Sequence, residues 1–124
     1  MMEFVKTDKA PAAIGPYSQA VKVNGMVYTS GQIALRPDGS MVEDDVVLQT
    51  KQVFENLKAV LEESGSSLQK VVKVLAFVAD INDFATVNAI YAEAFGEHKP
   101  ARSLVAAKTL PKNALVEIEV IAVC

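Results

Sequence analysis

The chain is poor in the residues that most often carry chemistry. It has one cysteine (Cys124), one histidine (His98) and no tryptophan among 124 residues. A single cysteine cannot close an intramolecular disulfide, so nothing points to an oxidising compartment. Two potential Cys or His ligands are too few for a structural zinc site. Any Ser-His-Asp or Cys-His arrangement would have to pass through His98. The six glycines form neither a G-x-G-x-x-G fingerprint nor a P-loop. The N-terminal Met1-Met2-Glu3-Phe4-Val5-Lys6 lacks the apolar stretch of a signal peptide, and no run is long enough to span a bilayer. An enzyme with this inventory is expected to work in the cytoplasm with neither metal nor cofactor.

What is present describes a folded domain. Apolar residues make up 51% and charged residues 22%, outside the disordered range. A chain of this length buries about two-thirds of its unfolded surface, enough for one domain over residues 1–124 and too little for two. Twelve basic against fifteen acidic side chains leave a net charge of −3. That balance argues against a nucleic-acid or anionic-membrane partner, either of which wants a basic face.

Patterning gives the order of elements. Residues 10–19 hold two prolines and a glycine but no charge, which reads as an ordered loop. Asn24-Gly25 supplies the two positive φ angles of a tight hairpin turn between strands at Ala20–Asn24 and Met26–Ile33. From Val46 to Ser64 apolar residues recur at three and four, with Asp44 and Asp45 as candidate caps and Gly65 after the end. A valine-rich strand at Val71–Ala79 follows, then a helix over Asp80–Phe95 closed by Gly96. Two strands near Ala101–Lys108 and Leu115–Val123 end the chain. This layout predicts an α+β fold with two helices on one face of a sheet. Val71–Ala79 is apolar on both sides, with Val72 grouped with Val74, Ala76 and Val78. The face without helices is therefore expected to need another subunit.

Few residues remain for chemistry. Of fifteen carboxylates, Glu117 and Glu119 alone sit inside an apolar strand, and alternation sends both to one face. They read either as ordinary glutamates on a solvent-facing or inter-subunit strand or as acid-base groups. Of two arginines, Arg36 lies in a turn as a solvated cation. Arg102 opens a strand, where it would pair with Glu117 or Glu119 across the last two strands or clamp a substrate carboxylate in two-pronged fashion. Asn88 is the one polar residue on the second helix's stripe of Phe84, Val87, Tyr91 and Phe95. His98 reads as a solvated loop residue, and Cys124 as unreactive.

Five stretches together resemble the RidA/YjgF family of reactive-intermediate deaminases. They are Ala10-Pro11-Ala12-Ala13-Ile14-Gly15-Pro16-Tyr17-Ser18-Gln19, Thr29-Ser30-Gly31-Gln32-Ile33, Asp83-Phe84-Ala85-Thr86-Val87-Asn88, Pro100-Ala101-Arg102-Ser103 and Val116-Glu117-Ile118-Glu119-Val120-Ile121-Ala122. The resemblance implies a chorismate-mutase-like homotrimer with clefts between subunits. It also implies cofactor-independent hydrolysis of 2-aminoacrylate, 2-iminobutanoate and similar enamines or imines to 2-keto acids and ammonia. The family's carboxylate-binding arginine falls on Arg102 and its water-activating glutamate on Glu117. Its substrate pocket falls on Tyr17, Ser30, Gly31, Asn88 and Leu104. Many members carry cysteine where this chain has Leu104, and the segment Glu97-His98-Lys99-Pro100 is shorter than in several. Two other functions stand beside the deaminase: an endoribonuclease or translation inhibitor, and a non-catalytic module that binds small carboxylic acids or unfolded clients.

Overall fold

The change from twofold to 3.6-fold periodicity near Val46 marks the first of two helices in the computed structural model, which describes residues 1–124. Helix α1 spans Val46–Glu63. The Asp45 carboxylate accepts from the Leu48 amide at 3.0 Å and satisfies one of the donors that a helix start leaves open. At the other end Ser66 N–H donates to Leu61 O and Gly65 N–H to Glu62 O, with Gly65 at φ +80°. This is the doubly bonded C-terminal turn that favours glycine. Val53, Leu57, Val60 and Leu61 are fully enclosed.

Three polar residues are buried on the same helix: Gln49, Thr50 and Asn56. Gln49 donates to Val42 O and Glu43 O and accepts from the Leu115 amide, while Asn56 donates to Ile33 O and Leu35 O. The helix thus holds two connecting segments through their own backbone groups.

The sheet has six strands: β1 Glu3–Val5, β2 Ala20–Val23, β3 Met26–Thr29, β4 Val71–Val78, β5 Ala101–Ala106 and β6 Val116–Val123. Their spatial order is β1-β2-β3-β6-β4-β5. All neighbours are antiparallel except β4 and β5, which are parallel and joined through helix α2, Phe84–Phe95. A parallel pair needs such a crossover. The α+β architecture with a mixed sheet and both helices on one face is therefore as expected. Val27, Val74, Val116 and Ile118 from the sheet and Leu57 and Val87 from the helices share one core.

The structure corrects five details. Strand β1 was not predicted, because three residues carry too little alternation to register. Strand β3 stops at Thr29 rather than Ile33. The second helix begins at Phe84, since Asp80 instead caps a short 3₁₀ turn over Ile81–Asp83 by accepting from Asn82 N–H. Strands β5 and β6 are not neighbours: β4 lies between them, so no cross-strand ion pair joins Arg102 to Glu117 or Glu119. Finally, a register shift between Val71 and Lys73 turns Val71 into the core and leaves Val72 45% exposed, the reverse of the expected grouping.

Neither helix covers the other face of the sheet, which presents Tyr28, Leu75 and Phe77 beside the two strand glutamates.

Candidate active site

A bulge at the end of β3 creates the first half of the site. Tyr28 pairs with Ile121, but Gln32 pairs with Ile118, so Ser30 and Gly31 together stand opposite Glu119. Thr29 Oγ1 accepts from Val120 N–H at 3.0 Å and covers the break in the ladder. Ser30 N–H donates to Gln19 O and Gln32 N–H to Ile118 O, leaving the Gly31 amide between them unused by the chain. The bulge brings the Gly31 backbone against the Glu117 side chain. A Cβ at Gly31 would overlap Glu117 Oε2 and stand 2.9 Å from its Cδ, so only glycine permits this approach.

The loop before β2 forms the facing wall. Gln19 is buried; its Oε1 accepts from Thr7 N–H at 2.7 Å, and its Nε2 donates to Thr7 O and Pro11 O. Ser30 Oγ donates to Ser18 O at 2.5 Å. Tyr17 is exposed, and its hydroxyl accepts from Ile14 N–H at 3.4 Å. Between wall and strand lies a cleft of about 360 Å³ lined by Tyr17, Ser30, Gly31, Glu117 and Glu119, among others. Burial first, and then the neighbouring Glu119 charge, push the Glu117 carboxyl above its ordinary value of 4.5. No cation pairs with either glutamate.

The second half lies across the sheet. Strand register aligns Arg102 with Val74, whose side chain enters the core, whereas Glu117 aligns with Phe77 on the uncovered face. Arg102 and Glu117 therefore project from opposite faces. Arg102 Nη1 donates to Asn88 Oδ1 at 2.7 Å. Its guanidinium carbon lies 4.6 Å from the Tyr91 ring centre and 5.6 Å from that of Phe84. A cavity of about 390 Å³ opens here, lined in part by Asn88, Tyr91, His98, Pro100 and Arg102. Leu104 shares the helix face with Arg102 and packs against the core.

Two expected solvent residues are engaged instead. His98 Nε2 lies 2.7 Å from Val71 O, because the short loop after α2 folds back on the start of β4. Arg36 pairs with Glu43 at 3.3 Å and donates to Met41 O. The structure brings Tyr17, Ser30, Gly31 and Glu117 together, and separately Arg102, Asn88 and Leu104, but not the two groups within one chain. Sequence reasoning did not single out Phe84 and Tyr91 as partners of Arg102. Their spacing from Asn88, four residues before and three after, was the available signal.

Residues 7–124 match the family model described as Endoribonuclease L-PSP. The 2-iminobutanoate/2-iminopropanoate deaminase of Salmonella typhimurium is 49% identical over 126 residues, covering 99% of this chain and 98% of that one. The chain belongs to the RidA/L-PSP family. The solved RidA of an Antarctic Psychrobacter superposes with a TM-score of 0.95 at 45% identity, covering 98% of this chain and 99% of that one. TdcF from E. coli, solved with bound serine, superposes at 0.93 with 43% identity and 98% coverage of both chains. No helix of the chain is long and apolar enough to cross a membrane.

Proposed function

We propose that this protein is a hydrolytic deaminase of 2-imino and enamino acids, with each catalytic centre assembled from two subunits of a homotrimer. One observation carries the reading. The half-buried Arg102 guanidinium and the unpaired, partly buried Glu117 carboxylate lie on opposite faces of one sheet, so a centre that uses both must draw on two copies. The uncovered apolar face supports such an assembly. The activity named for the Salmonella relative supports the chemistry.

The reaction asks little of a cofactor, since an imine carbon is already electrophilic. Arg102 holds the substrate carboxylate through the N–H groups that Asn88 leaves free, which orients the C=N bond. Glu117 takes a proton from water as its oxygen bonds to the imine carbon. That proton passes to the nitrogen and gives a neutral carbinolamine. Glu117 then takes the carbinolamine hydroxyl proton and hands it to nitrogen as the C–N bond breaks, so the hydroxyl becomes the carbonyl of the 2-keto acid and ammonia leaves. The free Gly31 amide, Ser30 and Tyr17 shape the pocket. A carboxylate with a raised pKa is a stronger base once ionised, so the environment of Glu117 fits its task.

The test uses imines made in situ by an amino-acid oxidase. Arg102→Ala and Glu117→Ala are each expected to lower kcat/KM by about 10²–10⁴-fold. Refolding the two inactive proteins together is expected to restore about a quarter of wild-type activity, because random mixing gives that share of interfaces both native residues. Full activity in either single variant would sink the mechanism, and no recovery on mixing would sink the shared centre.

A further inference from the structure

Helix α2 offers Arg102 more than one hydrogen bond. Phe84, Asn88 and Tyr91 fall at i, i+4 and i+7, which stacks them along one side of the helix. All three meet the guanidinium: Asn88 Oδ1 at 2.7 Å from Nη1, the Tyr91 ring centre at 4.6 Å and the Phe84 ring centre at 5.6 Å from Cζ. The Tyr91 ring is itself held. Its centre lies 4.7 Å from that of Phe95 and 5.9 Å from that of Phe54, and those two rings meet edge-on at 5.7 Å. Phe54 and Phe95 are core residues. The Tyr91 hydroxyl is buried and bonds to nothing in the chain, so no polar bond accounts for tyrosine's orientation at this position.

We propose that Phe84 and Tyr91 are positioning residues that stack the Arg102 guanidinium between helix and strand, fixing the plane in which it meets a substrate carboxylate. The inference rests on the carboxylate-binding role given to Arg102 above. Stacking on aromatic faces attracts a guanidinium without neutralising it, unlike pairing with a carboxylate. An arginine held this way keeps its full charge for the ligand while losing its rotational freedom. Asn88 fixes the position of one nitrogen, and the rings fix the tilt of the plane about it. Neither ring is required to touch the substrate.

The experiment measures binding of 2-oxobutanoate, an unreactive keto acid, by titration calorimetry, together with the ¹⁵N-¹H spectrum of arginine side chains. The chain has two arginines, so the Nε–Hε region is readily assigned by comparison with Arg102→Ala. Arg102 Hε is expected to lie upfield through the ring currents of its neighbours and to return toward the free-arginine position in Tyr91→Leu and Phe84→Leu. Both variants are expected to bind the keto acid about three- to tenfold more weakly. Tyr91→Phe keeps the ring and is expected to stay within about twofold of wild type. On imine substrates the leucine variants are expected to raise KM more than they lower kcat. Phe84 lies outside the Phe54–Tyr91–Phe95 cluster, so Phe84→Leu tests the idea even if Tyr91→Leu disturbs folding. If Arg102→Ala binds 2-oxobutanoate as wild type does, the carboxylate-binding assignment itself falls. If Arg102→Ala fails to bind while folded Phe84→Leu and Tyr91→Leu bind normally, or Tyr91→Phe is as weak as Tyr91→Leu, the stacking role alone is overturned.

Discussion

Arg102 rests against two aromatic rings and an amide, whereas Glu117 faces a glycine backbone and a second carboxylate. Both charges lack an opposite charge within the chain, yet they are left uncompensated by different means. The cation is surrounded by groups that attract it and hold it still. The anion is pressed into a narrow place beside a like charge, which makes its ionisation costly. An arginine is always charged, so its surroundings can act only on where it points. A glutamate can gain or lose its charge, so its surroundings act on when it is charged. In the proposed site, one half would then set aim and the other proton affinity.

Variants of the glutamate half test this contrast first. Among changes that leave both charged residues in place, Gly31→Ala should have the largest effect, because the added carbon displaces the Glu117 carboxylate. A shift on the order of 1 Å at the reacting group is expected to lower kcat about 10²-fold, while the Arg102 side-chain resonance stays where it is. A moved resonance would show that the halves are not independent.

A smaller effect concerns stability. The folded state raises the Glu117 pKa, so the neutral acid is the form that folding favours. That preference contributes fully below the unfolded pKa near 4.5 and is lost as pH rises through the higher folded value. Glu117→Gln should therefore melt above wild type at pH 7, and the gap should close as pH falls below that of the unfolded carboxyl. Solvent screening at this half-exposed position keeps the gain to about a degree or two. Equal melting at every pH would refute the claimed penalty.

The smallest expected change is in Glu119→Gln. Removing the neighbouring charge takes away the lesser of two causes that raise Glu117, so the acid limb of kcat/KM moves to lower pH. A limb that stays in place would assign the shift to burial alone.

Much of this was legible in the sequence because periodicity and turn chemistry are local. The helix limits at Asp45 and Gly65 and the Asn24-Gly25 hairpin follow from a few residues each. Alternation likewise put Glu117 and Glu119 together on one face. What could not be read was non-local. Whether Leu115–Val123 pairs with the preceding strand or with an earlier one is decided by the crossover through α2, and that choice separates Arg102 from Glu117. The bulges at Val71–Lys73 and Ser30–Gly31 insert single residues into ladders whose partners lie far along the chain. Phe84 and Tyr91 were visible as apolar residues, but only the packing of β5 beneath α2 turns them toward a cation. The buried amides Gln49 and Asn56 gave no sign of themselves, since Leu115 N–H, Ile33 O and Leu35 O, which they bond, lie far along the chain in connecting segments.

The wall of the glutamate cleft hangs largely on one side-chain amide. Gln19 offers its nitrogen to three backbone carbonyls, those of Thr7, Ala10 and Pro11, and its oxygen to one backbone N–H. Loss of that nitrogen by deamidation would set an oxygen against those same carbonyls, turning attraction into repulsion. The chemical ageing of a single side chain in the wall that faces Glu117 would then reshape the cleft without any substitution in the gene.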